Sequence, residues 1–169
     1  MMLLFEDATG SEWRLYSPKS NRVGKTEIER QLGQMKASET ARKRGIAVLI
    51  CGGREFGQSS AEIDAGFKQL DLAAATLKDH GINVTRIIHG GARGADKVAE
   101  KWARSRGFKV ETFYPDWHKF GKSASYRRNE VMLKTGKPSY VIAFPGESTT
   151  NHMVRISEEA GVSVWKPTV

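Results

Sequence analysis

Residues 46–57, with the sequence IAVLICGGREFG, join six consecutive apolar residues to a loop that contains three glycines. A run of this kind, with three β-branched residues, is typical of a strand buried on both faces, as in a parallel sheet. The glycines that follow allow the backbone to turn sharply and to approach a ligand closely. This segment therefore predicts the first strand of an α/β sheet, with a binding loop at its carboxyl end.

The same order of strand, loop and helix recurs downstream. Further apolar runs occupy 84–88, 109–114, 140–144 and 162–165, and helix-like stretches lie near 60–80, 95–106, 124–135 and 150–160. Gly81, Gly107, Gly136 and Gly161 each follow a helical stretch, where a left-handed cap favours glycine. Strands that alternate with helices of this size predict a Rossmann-like α/β fold with a doubly wound, mainly parallel sheet.

The N-terminal part has a different pattern. Residues 1–20 predict a short hairpin, and residues 26–44 predict a polar helix with a narrow apolar stripe formed by Ile28, Leu32 and Met35. A stripe of this width docks on a neighbouring surface more often than it forms a core, so a homodimer is possible. We therefore expect an accessory extension, residues 1–45, and a main domain, residues 46–169.

Charge and cysteine content limit the classes of partner. The net charge of +8 favours an anionic partner, either a phosphorylated small molecule or nucleic acid, with a solubilising surface as the alternative. Nine basic and six acidic residues precede residue 46, and 18 and 13 follow, so the excess is spread along the chain. The single cysteine, Cys51, excludes an internal disulfide framework and fits a reducing compartment.

No membrane or metal partner is expected. No apolar run approaches the roughly 20 residues that span a bilayer, and residues 1–7 are too short and too acidic for a signal peptide. The four histidines show no metal-ligand spacing, and one cysteine offers no thiolate cluster. We therefore predict a cytoplasmic protein without a metal site.

Three glycine-bearing loops follow predicted strands, and the carboxyl ends of parallel strands form the ligand-binding edge of such a sheet. They are residues 51–57, 89–96 and 144–150, and the last two open helices. Free N–H groups and the positive end of a helix dipole favour an anion there. The alternative is that each loop only makes a tight turn and that Thr149 or Thr150 caps a helix. We expect Gly53, Gly91 and Gly146 to surround one anion pocket.

Two familiar nucleotide fingerprints are absent. The segment 90–95, GGARGA, lacks the full spacing of the dinucleotide motif, and the chain contains no P-loop Gly-Lys-Ser/Thr in a glycine-rich frame. Conventional NAD-dependent redox chemistry and ATP hydrolysis are therefore disfavoured.

Taken together, residues 46–165 resemble the SLOG superfamily, specifically its YspA/YpsA-related branch from bacteria and phages. The resemblance is carried by the segments 52–56 (GGREF), 90–96 (GGARGAD), 116–117 (DW), 128–132 (RNEVM) and 144–146 (FPG). It implies a Rossmann-like fold and a nucleotide or nucleotide-derived ligand, with no certain cofactor. The same superfamily is similar in fold to the DNA-processing protein A, which holds single-stranded DNA.

The LONELY GUY-type phosphoribohydrolases are better understood cousins, and they cleave the N-glycosidic bond of nucleoside monophosphates. Arg128, with Met132 four residues on, matches their first element, although Asn129 replaces a lysine. In their glycine-rich loop Pro145, Gly146 and Thr150 match. However, Glu147 and Thr149 replace two glycines, and His152 and Met153 replace the paired glutamates. Glycosidic cleavage needs a carboxylate, and only Glu147 or Asp96, after a rearrangement, is available for that role.

Individual side chains leave alternatives open. Arg54 and Arg93 suit phosphate oxygens or structural ion pairs with Glu55 or Asp96. Arg128 and Arg127 point about 100° apart on a helix, and the resemblance selects Arg128 as the inward one and as a candidate catalytic residue. Trp117 and Tyr126 suit stacking on a base or, for Trp117, buried packing. The full set of candidate ligand-binding residues is Gly52, Gly53, Arg54, Gly90, Gly91, Arg93, Gly94, Asp96, Trp117, Arg128, Asn129, Pro145, Gly146, Ser148, Thr149 and Thr150.

Three functions compete. The first is a binder or sensor of a nucleotide-derived ligand, because the anion-suited loops are present and the expected carboxylates are absent. The second is a hydrolase that acts on the N-glycosidic or phosphoribosyl bond of a nucleotide. The third is a single-stranded nucleic-acid binding protein, which the net charge and Trp117 favour.

Overall fold

The computed structural model describes residues 45–169, so the predicted hairpin and the helix of residues 26–44 lie outside the described residues. The described part contains five strands: β1 Ile46–Cys51, β2 Val84–His89, β3 Lys109–Thr112, β4 Tyr140–Ala143 and β5 Ser163–Trp165. Its helices are α1 Ser60–Asp79, α2 Ala95–Ser105, α3 Trp117–Phe120, α4 Ala124–Gly136 and α5 Ser148–Glu159, with a 3₁₀ turn at Gly121–Ser123.

The five strands form one parallel sheet with the order β3-β2-β1-β4-β5. The chain moves outward from β1 to β3, and then returns to place β4 on the other side of β1. Val48 pairs with Tyr140 in this step. The prediction of a Rossmann-like, doubly wound sheet is confirmed. Such a reversal of strand order opens a crevice beyond the carboxyl ends of the central strands, between β1 and β4.

Helices cover both faces of the sheet, as the continuous apolar strands require. Alternate residues of β1 point to opposite sides, so Val48 and Ile50 pack under α1 and α2, while Ala47 and Leu49 pack under α4 and α5. The first layer includes Leu70, Leu77, Val98 and Trp102. The second includes Met132, Met153 and Val154. The two layers hold β1 rigidly, and this fixes the loop that follows it.

Most helix ends follow the predicted chemistry. The Ser59 hydroxyl accepts a hydrogen bond from the Glu62 N–H, and the Glu62 carboxylate accepts one from the Ser59 N–H, which forms a capping box at α1. Gly81, Gly107 and Gly161 adopt positive φ after their helices. The prediction for Gly136 was wrong, because Lys137 takes the left-handed conformation, with φ of 47°.

Gly136 is instead the last residue of α4, and its missing side chain serves packing. A Cβ at this position would lie 2.9 Å from Ile88 Cδ1 and 3.5 Å from the Phe113 ring. Glycine therefore allows the end of α4 to approach the sheet closely. Within residues 45–169, no helix is long and apolar enough to cross a membrane.

Candidate functional site

The loops after β1 and β4 are joined directly by their backbones. The Gly53 N–H donates to the Pro145 carbonyl at 2.8 Å, and the Gly53 carbonyl accepts from Ala95 N–H, the first residue of α2, at 3.0 Å. Gly94 adopts φ of 79°, and a Cβ there would overlap the backbone of Gly53 and Arg54. The sequence thus places three segments around one point because neither glycine has a side chain to separate them.

A crevice of about 980 Å³ opens at this edge of the sheet. It is large enough for a nucleotide-sized ligand. Among the predicted binding residues, its lining includes Gly52, Gly53, Arg54, Gly90, Asp96, Trp117, Arg128, Asn129, Pro145, Gly146, Ser148, Thr149 and Thr150. Gly91, Arg93 and Gly94 do not line it.

Arg128 lies against the loop that follows β2. Its Nη1 donates to the carbonyls of Gly90 and Phe113, the latter at 3.1 Å, and its Nε donates to Asn129 Oδ1 at 3.1 Å. Burial lowers the pKa of its guanidinium from the ordinary value, although the Asp96 carboxylate opposes this. No described residue accepts a hydrogen bond from Nη2, and Arg128 is one of the residues that line the crevice. Arg127, by contrast, is exposed.

Asn129 connects the two helices that border the crevice. Its Nδ2 donates to the Thr149 carbonyl at 3.0 Å and lies 3.4 Å from His152 Nδ1. The ring of His152 meets the edge of Tyr126, with centroids 5.0 Å apart. Asn129 Oδ1 accepts from Arg128 and Asn129 Nδ2 donates to the Thr149 carbonyl, so this side chain fixes the position of Arg128 relative to α5.

The first turn of α5 faces the crevice without a side-chain cap. Glu147 occupies the N-cap position, and its side chain makes no capping hydrogen bond. Ser148 and Thr149 lie at the crevice with their hydroxyls, and Thr150 is buried below Gly146. The alternative reading, in which Thr149 or Thr150 caps this helix, therefore does not hold, and the first N–H groups of α5 remain available to an anion.

The loop after β2 is organised differently from the prediction. The N–H groups of Gly90 and Ala92 donate to the Asp96 carboxylate, the latter at 3.0 Å, and the Gly91 N–H donates to His89 Nδ1 at 3.1 Å. Three consecutive backbone donors are thus satisfied by the protein itself. Because a buried carboxylate already occupies the place of the expected anion, this loop does not offer its N–H groups to a phosphate.

Asp96 and His89 are both buried, with opposite effects on their titration. Burial raises the pKa of Asp96 from 3.8 to about 6, against hydrogen bonds from Ala92 and Gly90 and the charge of Arg128. Burial lowers the pKa of His89 from 6.5 to about 4. His89 is therefore neutral, and since its Nδ1 accepts from Gly91, its proton lies on Nε2 and is donated to Thr112 Oγ1 at 3.2 Å.

Three expectations about this region need correction. Gly91 is not beside Gly53 and Gly146, because it lies beneath Tyr114 and Thr112, while Gly90 and Ala92 line the crevice. Arg93 pairs with Glu55 at an exposed position, which is the structural alternative to a phosphate contact. Gly94 is packed against the backbone of the first loop.

Two lining residues, Lys122 and Ser125, were not among the site residues expected from the sequence, whereas Tyr126 was expected to stack on a base. Lys122 follows α3, and Tyr126 and Ser125 lie on α4. The carboxylates of Glu55, Glu62 and Glu147 also line the crevice, so its wall is not uniformly basic. Lys122 reaches the crevice because the segment between β3 and β4 passes along this edge of the sheet. The course of that segment could not be predicted from local sequence patterns.

Cys51 lies at the floor and is inert. Burial raises the pKa of its thiol far above the ordinary value, and the charge of Asp96 adds to this effect. No group of three or more His, Cys, Asp or Glu side chains that could hold a metal ion occurs within residues 45–169.

Comparisons with known proteins agree with this architecture. The family model described as YAcAr, the YspA, cpYpsA-related SLOG family, matches residues 46–120. The Gene 61 protein of Mycobacterium phage D29 is 42% identical over 124 residues, which cover 69% of this chain and 92% of that protein. No solved structure matches the chain.

Proposed function

The chain belongs to the YspA, cpYpsA-related SLOG family, and from this membership and the crevice we propose that it binds a phosphorylated, nucleotide-type ligand as a binder or sensor. One observation carries the proposal: Arg128, whose Nη2 has no hydrogen-bond partner among residues 45–169, and the uncapped first turn of α5 line the same crevice at the reversal of strand order. A guanidinium and helix N–H groups together match a phosphate.

In this proposal the phosphate end of the ligand binds at the first turn of α5. Ser148 and Thr149 supply hydroxyl donors, and the missing side chain of Gly146 lets the loop after β4 pack closely against Thr150 and Gly53 beside them. Asn129 holds the Thr149 carbonyl and the Arg128 side chain at once, so the two parts of the phosphate site are fixed relative to each other.

The other end suits a base and a sugar. Trp117 is half exposed at the mouth of the crevice and Tyr126 lies on its wall, and both rings offer surfaces for stacking. The carboxylates at this edge accept hydrogen bonds from hydroxyl or amino groups, which a simple inorganic anion lacks. A ligand with a phosphate at one end and hydroxyls and a ring at the other satisfies both ends.

Calorimetry with the full chain tests the proposal. Nucleoside mono- and diphosphates, NAD and ADP-ribose are titrated, with inorganic phosphate and unphosphorylated nucleosides as comparisons. Arg128→Lys keeps the charge but loses the forked donor, and it should weaken binding by about 10-fold or more, the value of one charge-assisted hydrogen bond. Arg155→Lys is the matched control, because Arg155 is an exposed arginine on α5 paired only with Glu159. Absence of heat with every phosphorylated compound would exclude the proposal.

A nucleotide N-glycoside hydrolase is the second candidate, and Asp96 is the observation that favours it. Its carboxyl lines the crevice, and a pKa of about 6 suits proton transfer near neutral pH. Against it, the two backbone donors already engage this carboxylate, and Glu147, Thr149, His152 and Met153 replace the catalytic loop of the cousins. Incubation with nucleoside monophosphates, followed by chromatography for free base, distinguishes a hydrolase from a binder.

A further inference from the structure

The exposed aromatic rings of the described chain lie in one short segment. Among residues 45–169, the aromatic side chains that are largely exposed are Tyr114 at 73%, Trp117 at 49% and Phe120 at 37%. They fall at intervals of three residues in the segment that leaves β3. Single exposed apolar residues are ordinary, but three exposed rings grouped within seven residues are a feature of interaction surfaces.

Two basic side chains lie over one of these rings, that of Phe120. Lys119 Nζ lies 5.1 Å from the centroid of the Phe120 ring, and the Arg127 guanidinium lies 5.9 Å from the same ring. Residues 114–128 contain four basic residues and one acidic residue, so this segment accounts for most of the +5 excess of the main domain. The single acid, Asp116, is engaged as the N-cap of α3, where it accepts from the Lys119 N–H at 2.9 Å. We call this surface, residues 114–128, the rim.

The rim is anchored rather than loose. The Tyr114 ring lies over Gly91, where a Cβ would overlap both this ring and the Thr112 side chain. Trp117 and Lys122 continue into the crevice, and Phe120 lies outside it. None of the residues of α3 or of the following 3₁₀ turn is buried. The side chains of these two elements therefore remain accessible along their whole length.

We propose that the rim binds single-stranded nucleic acid, with bases stacked on Tyr114, Trp117 and Phe120 and phosphates paired with Lys119, Lys122 and Arg127. Interleaved rings and cations are how proteins hold unpaired strands, because every base has a face that stacks and every linkage carries a charge. An acidic polypeptide is a weaker match as a partner, because its carboxylates pair with the basic side chains of the rim but it has no bases to stack on the three rings. A bilayer requires a longer apolar helix face than the four residues of α3 supply.

Fluorescence anisotropy tests the rim with the full chain and a labelled 12-mer of deoxythymidine. We expect binding that weakens as salt rises from about 50 to 200 mM, as release of counterions requires. The double variant Tyr114→Ala/Phe120→Ala should weaken binding by at least about 30-fold, at the lower value for two stacked bases. Val131→Ala, at an exposed apolar position on α4, is the matched control and should bind as the unmodified protein does.

Other outcomes overturn the proposal. Equal affinity for a duplex of the same sequence, or full competition by polyglutamate of matched charge, would indicate a general electrostatic surface. Binding that the double variant leaves unchanged would place the strand elsewhere on the chain. Tyr114 and Phe120 do not line the crevice, so calorimetry of the double variant with nucleotides separates failure of the rim from failure of the proposed ligand site.

Discussion

Two buried titratable side chains, Asp96 and His89, hold the loop after β2. The variants Asp96→Asn and His89→Asn each remove one of them. Both substitutions retain an oxygen that can accept from the loop backbone. The structure predicts that the two variants change the pH dependence of stability in opposite directions. Burial disfavours the charged form of both groups, but Asp96 is charged above its pKa and His89 is charged below its pKa.

The magnitudes follow from linkage. The pKa of Asp96 is raised from 3.8 to about 6, so its contribution to stability is complete below about pH 4 and is lost as pH rises through 6. The pKa of His89 is lowered from 6.5 to about 4, so its contribution is complete above pH 6.5 and is lost as pH falls through 4. Each difference corresponds to about 3 kcal/mol. In the unmodified protein the two effects nearly cancel between pH 4 and 6.5.

Urea unfolding of the full chain between pH 4 and 7.5, followed by tryptophan fluorescence, measures the effect. Relative to the unmodified protein, Asp96→Asn should gain up to about 3 kcal/mol as pH rises from 4 to 6.5, and His89→Asn should lose about as much. Asp64→Asn, at an exposed position on α1, is the control and should shift stability by less than about 0.5 kcal/mol throughout. Differences that stay constant with pH for both variants would refute the assignment of two buried, oppositely perturbed groups.

Three further predictions concern the backbone and are checked by denaturant unfolding. Gly94→Ala should destabilise the protein by more than about 2 kcal/mol, because the new Cβ would overlap backbone atoms and the residue has a positive φ. Gly81→Ala also has a positive φ, 73°, but has open space around it, so it should cost only about 1 kcal/mol. Ser59→Ala removes the capping box of α1 and should cost about 1 kcal/mol, while equal stability would show that Glu62 alone satisfies the helix end. Lys137→Gly relieves the left-handed strain after α4 and should raise stability by about 1 kcal/mol, and a loss would mean that this residue contributes through its side chain.

The fold could be predicted from the sequence because the patterns that specify its strands and helices are local. Six apolar residues before a glycine loop identify β1, and carboxyl ends of parallel strands must share an edge, so the approach of Gly53 to Gly146 followed from the order of the elements. The end of α4 was less accessible. Gly136 resembles a cap in the sequence, but its role depends on how closely α4 approaches Ile88, which only tertiary packing determines.

The site was predicted in part for the same reason. The glycine loop after β2 has the composition of an anion site, and the sequence does not reveal that Asp96 folds back to occupy it. The hydrogen bond between His89 and the Gly91 N–H was likewise not indicated by the sequence. Both hydrogen bonds join residues two to four positions apart, so they depend on the exact conformation of the loop, which its composition does not specify.

The position of β1 in the middle of the sheet has a consequence for how the chain matures. One edge of β1 pairs with β4, and in this pair Val48 lies opposite Tyr140, 92 positions later in the chain. This edge of β1 therefore stays unpaired until β4 has been synthesised. Such distant pairing is slow to form, so a nascent or truncated chain that ends before β4 has neither α5 nor the closed edge of the sheet. A ligand that contacts both Gly53 and Ser148 consequently recognises only completed molecules, and by mass action it protects them from unfolding and proteolysis. Occupancy of the crevice would then report the population of finished protein as well as the concentration of ligand.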